Sequence, residues 1–310
     1  MLRRVILLVI PVLLVGAAAC GGDNSTPTSP TPSATRVIGV SGNLAFGEVA
    51  IGTSRDATMT ISNTQGTVIR TMQVPGSAGL NRVYWDLRET PSKQLKMRTN
   101  PLYDHELPLG EDGTRAPAGG GGQQTLLSPP GTYTVKLSIG GREFSQPLTV
   151  RKDPHSGGTE ADIQAQTEVL TELRTGMNSA VDAINQLEYV RAQVQTIMKS
   201  TQDSELRRAA TELQGKLSDL EMNLYDLRIT GGQDGVRYAA KLLSRFNFLA
   251  NGISGSDFRP TDQHMEVAKA LQDRLKNELT AIGTAMDRDV STFNDMLRRG
   301  SAGQIVTKVP

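Results

Sequence analysis

The sequence predicts two domains in series: an all-β Ig-like sandwich followed by an all-α antiparallel helical bundle. Three observations carry this reading. From Val37 to about Val150 apolar and polar residues alternate; beyond Thr159 the apolar period lengthens to that of a helix; and "RKDPHSGG" between them is a run of turn formers. At 310 residues the chain is long enough for two domains, and its 37% hydrophobic content suits packed cores. Only 4% is aromatic, so those cores draw on Leu, Val, Ile, Met and Ala, as aliphatic helix seams do.

The first element is read as an export signal. "MLRRVILLVIPVLLVGAAAC" has a basic start at Arg3 and Arg4, an apolar run from Val5 to Val15, and small residues up to Cys20. The apolar run is short for a membrane span. "AAAC" resembles the lipobox of bacterial lipoproteins, with Ala17 where that pattern has Leu, which implies cleavage before Cys20 and its acylation. Residues 1–20 are thus expected to be a lipoprotein signal peptide. Residues 21–35, "GGDNSTPTSPTPSAT", carry no large apolar side chain and read as a disordered Ser/Thr/Pro tether. Gly21, in place of an Asp after the cysteine, favours the outer membrane over the inner.

Charge narrows the partners. The chain has 33 bases and 32 acids, and no basic run or aromatic-basic alternation, so nucleic acid is not expected. Membrane contact is expected through the lipid on Cys20 rather than through a charged patch.

Residues 36–152 are assigned to the sandwich. Ala57, Met59 and Ile61 alternate with Thr and Ser; Tyr133, Val135, Leu137 and Ile139 alternate with Thr134, Lys136 and Ser138; Gly140-Gly141 marks a hairpin. In "GLNRVYWDLRE" Val83, Trp85 and Leu87 alternate with Tyr84, Asp86 and Arg88, which places the single tryptophan in the core. Trp85, Tyr133, Val135 and Leu137 are the expected structural core. Residues 91–130, with glycines at 119–122, read as a flexible insert.

Residues 158–300 are assigned to a four-helix antiparallel bundle and 301–310 to a C-terminal tail. In the first helix Ile163, Leu170, Met177, Ile184 and Met198 form one heptad row, broken at Arg191; Leu173, Ala180, Leu187 and Val194 form the other. Leu206, Leu213, Leu220 and Leu227, with Ala210, Leu217 and Leu224 between them, mark a second helix. Val236, Ala239, Leu242, Leu243, Phe246 and Leu249 mark a shorter third. The fourth starts after Thr261 as N-cap and carries Ala268, Leu271, Leu275, Leu279, Ile282, Met286, Val290, Phe293 and Leu297. Because the first and fourth helices exceed the third in length, an exposed stripe that seats a partner helix stays open as an alternative to pure core.

Catalytic constellations are sparse. Asp104, His105 and Glu106 are adjacent, but adjacent side chains diverge; His105, His155 and His264 fall in a loop, a linker and a helix start. Nucleophile-elbow, P-loop and zincin patterns are absent, and "GVSGN" at 39–43 lacks the helix an elbow needs. Glu168, Glu172, Asp182 and Glu188 lie mostly off the heptad seam and read as a solvated helix face. No catalytic, cofactor-binding or metal residue is assigned, and no enzymatic activity is expected.

"NTQGTVIRTMQVPGSAGLNRVYWDLRE" and "PPGTYTVKLSIGGREFSQPLTVRKDP", with "DFRPTDQH" and "FNDMLRRGSAGQI" further on, resemble the C-terminal Ig-like plus helical region of bacterial sortilin-type BNR-repeat proteins, often labelled glycosyl hydrolases. The likeness covers roughly residues 60 to 305. "LAFGEVAIGTSRDATMTISNT" also resembles an ASH-type or choice-of-anchor module. These resemblances imply a β-sandwich without the propeller in which glycosidase activity would reside. The expected function is therefore a non-catalytic, membrane-tethered extracytoplasmic lipoprotein acting as scaffold or protein-interaction module. The alternative is an accessory subunit or degenerate relative of a BNR-repeat glycoside hydrolase, or a carbohydrate-binding module using Tyr84 and Tyr103.

Overall fold

A computed structural model describes residues 57–76, 81–104, 106–118, 122–300 and 303–309. All belong to one compact unit, Arg36–Pro310. Cys20, the tether and "GVSGN" lie outside the described residues.

Four strands form one antiparallel sheet: β1 (Ala57–Ser62), β2 (Val68–Val74), β3 (Gly131–Ile139) and β4 (Arg142–Val150), in the order β2-β1-β3-β4. The register sets Ile61 beside Val135 and Tyr133 beside Leu148, so alternate residues share one apolar face. Ile61, Tyr133, Val135, Leu148 and Val150 are buried there. Gly140 and Gly141, at φ +56° and +80°, make the tight β3–β4 turn, whose two positive φ angles match the twist of the flanking strands. At the β1–β2 turn Asn63 Oδ1 accepts the Gln65 and Thr67 N–H groups, and Gly66 takes φ +79°.

The expected Ig-like sandwich is not what forms: among the described residues there is a single four-stranded sheet followed by a helical region. Alternation of Val83, Trp85 and Leu87 does not make a strand. Leu87 sits at φ +62°, a conformation a branched side chain rarely adopts, and this breaks the pleat. Trp85 and Leu87 lie half-buried over the sheet face instead. The Trp85 ring meets Tyr133 edge-on at 5.9 Å, and its Nε1 donates to Arg88 O at 2.9 Å. Leu137 is half-buried, whereas Tyr133 and Val135 are buried.

The helices are α1 (Glu160–Ser200), α2 (Ser204–Leu224), α3 (Leu242–Ser254), α4 (Asp262–Thr284) and α5 (Ser291–Arg299). Thr159 caps α1 in a capping box with Asp162, and Asp203 caps α2 through the Glu205 and Leu206 N–H groups. Both heptad rows of α1 are buried apart from Met198, which packs at the rim. The third helix begins six residues later than its apolar pattern suggests: Val236 lies in a short 3-10 turn, Asp234–Val236, and is exposed.

From α4 to α5 the helix is continuous, joined by a π segment, Ala285–Val290. Ala285, Met286 and Val290 are buried within that segment, and Val290, Phe293 and Leu297 carry the apolar seam on into the core.

Around the stretch expected as a flexible insert, residues 91–130, the described residues 87–99, paired with 122–128, form a strap along α1. Leu95, Met97 and Leu126 are each 1–2% exposed and belong to the helical core, not to the sheet. Residues 87–92 pair irregularly with 124–128, through Glu89 N to Leu126 O, Ser92 N to Gln124 O and Ser128 N to Leu87 O, each 2.8 Å. Met97 and Arg115 exchange two more backbone bonds. The strap also holds the sheet: Thr90 N donates to Ile69 O of β2 at 2.7 Å. The second apolar layer that a sandwich would need is spent on covering helices.

Candidate functional site

The densest polar construction among the described residues lies where the strap crosses α1. Arg174, Asn178, Asp182, Asn185 and Glu188 are spaced four, four, three and three apart, which puts them on one helix face. Each holds the strap. Arg174 Nη1 meets Glu89 Oε2 at 2.7 Å; Asn178 Oδ1 accepts from Lys93 N at 2.7 Å; Asp182 pairs with Lys93 Nζ at 2.5 Å. Asn185 reads the backbone twice, accepting from Lys96 N at 2.8 Å and donating to Gln94 O at 3.2 Å.

Glu188 ends the row. It accepts from the Arg98 and Thr99 N–H groups and from the Thr99 hydroxyl, the last at 2.6 Å. It also meets Arg191 Nη1 at 2.9 Å, and the same nitrogen reaches Glu221 Oε2 of α2 at 2.5 Å. Side-chain exposure is 0% for both acids and 2% for the arginine. With its amide oxygen toward α1, Gln214 accepts from Arg191 Nε and Nη2 at 3.1 and 3.2 Å, so all three guanidinium nitrogens are hydrogen-bonded. Burial, and then the Glu188 charge, hold the Glu221 carboxyl well above the usual range, and Arg191 offsets this only in part. Burial likewise pushes the phenols of Tyr225 and Tyr133 up to about 12.

This corrects two readings. Asp182 and Glu188 do not face solvent alone; both grip the strap, and Glu188 is among the most buried of the described residues. Arg191 is not a defect in the seam but the centre of a three-group ion cluster. The signal present in the sequence was a lone cation on an apolar row, which demands a buried acid.

A second extended segment docks on the neighbouring face of α1. Gln193 accepts from Val306 N and donates to Val306 O, at 2.9 and 2.8 Å, and Gln186 donates to Thr307 O. Asn294 of α5 treats Ile305 in the same two-sided way, and Ile305 is buried. Further along α1, Thr175, Gly176 and Ser179 face Gln272, Leu275 and Leu279 of α4 across an open groove of about 420 Å³.

The other named residues stay apart. Asp104 Oδ1 accepts from Glu106 N in a local turn, and His105 lies outside the described residues. His264 closes the α4 capping box, and Asp153 caps the His155 N–H. Among the described residues no three His, Cys, Asp or Glu side chains converge as metal ligands, and no helix is long and apolar enough to cross a membrane. The most exposed large apolar side chains among the described residues are Val236, Phe248, Tyr84 and Tyr103, at 88%, 82%, 77% and 68%. No family model, no curated protein and no solved structure matches the chain.

Proposed function

We propose that the protein is a non-catalytic, lipid-anchored scaffold of the bacterial cell envelope, tethered through Cys20, favouring the outer membrane, and docking another extracytoplasmic protein. The observation that supports this most is the strap. Leu95 and Met97 sit in the helical core while Thr90 bonds β2, so sheet and helices hold fixed relative positions and can present two surfaces to a partner at once. A Ser/Thr/Pro tether of residues 21–35 would carry that rigid body up to about 45 Å from the lipid.

The test has two arms. Cys20→Ser should abolish incorporation of labelled palmitate and release the protein from the membrane fraction. Photo-crosslinkers at Phe248 and Tyr103 in living cells should return one stoichiometric protein partner. Hydrolysis of a polysaccharide panel by the isolated, metal-replete protein, lost on alanine substitution of loop acids, would overturn the reading. The exposure of Tyr84 and Tyr103 supports a second reading, carbohydrate binding by aromatic stacking, which titration with soluble oligosaccharides would test.

A further inference from the structure

The Glu188–Arg191–Glu221 cluster holds two acids and one base with side chains only 0–2% exposed. Charge balance in such a place requires one proton on the acid pair, because a net buried charge is costly. The donors decide which acid is ionised. Glu188 receives four, from Arg98 N, Thr99 N, Thr99 Oγ1 and Arg191 Nη1, and is the carboxylate. Glu221 receives Arg191 alone on Oε2, and its Oε1 is buried without a partner. Glu221 is therefore the acid that keeps the proton, in the arrangement of two carboxyls sharing one site.

We propose that the Glu221 proton latches the strap to α1, and that its loss at alkaline pH frees residues 92–99 from the bundle while the helices stay folded. With Glu221 ionised, two carboxylates share one guanidinium and the cluster carries a net negative charge. The walls of the cluster yield unequally. α1 and α2 are continuous helices zipped by apolar seams, whereas the strap is held by polar side chains and a few apolar contacts, so it opens at lower cost. Its departure admits water to Glu188 and relieves the repulsion.

The other groups facing the cluster leave the Glu221 proton as the one lost as pH rises. On the strap side Arg98 lies over the Tyr189 ring and donates to Lys96 O, and Arg115 donates to Thr99 O and Ala116 O. Beyond α2 the Tyr225 phenol titrates only at about 12, and Arg228 holds the Asp226 carboxyl below its usual range. On α1 and α2 the remaining polar contact, Gln214, does not ionise.

Amide hydrogen exchange of the full chain, read by mass spectrometry and corrected for intrinsic rates, tests the latch. Between about pH 6 and about pH 9, protection of residues 92–99 should fall at least about tenfold, while α3 stays within about threefold. Glu221→Gln should keep the strap protected at both pH values, because it cannot ionise; Glu221→Leu serves the same comparison if the first variant does not fold. Glu188→Gln should leave the strap unprotected at both. Strap protection that is flat with pH in the parent, falls equally in Glu221→Gln, or falls together with α3 would overturn the proposal.

Discussion

Thr99 gives Glu188 two hydrogen bonds, one from its backbone N–H at 2.7 Å and one from its hydroxyl at 2.6 Å, across 89 residues of sequence. A fully buried carboxylate thus serves as the anchor point of an extended segment. Removing it by Glu188→Ala should destabilise the protein by about 3–5 kcal/mol, since two buried strap N–H groups lose their acceptor and Arg191 loses one of its two carboxyl partners. Chemical denaturation at neutral pH measures this. A loss below 1 kcal/mol would mean that water enters the site and that it is less enclosed than the geometry says.

Asn185 and Asp182 flank that anchor but differ in kind. Asn185 holds two backbone groups with a neutral amide, whereas the Asp182–Lys93 pair has both partners more than half exposed. Asn185→Ala should cost about 1–2 kcal/mol and Asp182→Ala less than about 0.5 kcal/mol, the usual worth of a solvent-screened pair. Repeating both at high salt separates them further, because only the second is an ionic term.

How far the sequence foretold this depended on whether the needed information was local. The α1 seam was legible because each apolar residue repeats within its own helix, and the Thr261 cap because capping is a three-residue affair. The Gly140-Gly141 turn was legible for the same reason. The strap was not. Leu95 and Met97 are two apart, the spacing of any strand, and nothing local says whether the surface they cover is a sheet or a helix. Glu221 lies thirty residues from Arg191, so the seam announced the need for an acid without naming it. The π segment was not legible either, because the four-residue steps around Met286 recur at Leu271, Leu275 and Leu279 in regular α-helix.

Trp85 makes a graded prediction. As a half-buried ring resting on Tyr133 it should lose about 1.5–3 kcal/mol on substitution by alanine, below the 3–5 kcal/mol or so of a fully enclosed aromatic. Trp85→Phe keeps the edge-on contact and forfeits only the Nε1 bond to Arg88 O, for about 1 kcal/mol. The tryptophan emission of the native protein should fall between buried and free values, and equal stability of parent and Trp85→Ala would remove the ring from the sheet's cover.

Two helical glycines should respond to alanine with opposite signs. Gly215, exposed in α2, has open space where a Cβ would stand, so Gly215→Ala should gain about 0.5–1 kcal/mol by restricting the unfolded chain. At Gly176, buried in α1, a Cβ would come within 2.8 Å of Phe246 Cε1 and 3.0 Å of the Gln272 amide. Phe246 is itself fully buried and cannot swing away, so Gly176→Ala should cost about 1–3 kcal/mol despite the better helix propensity of alanine. Thermal melts of the two variants beside the parent decide this. A gain at both positions would show that α1 and α3 pack less closely than Gly176 allows.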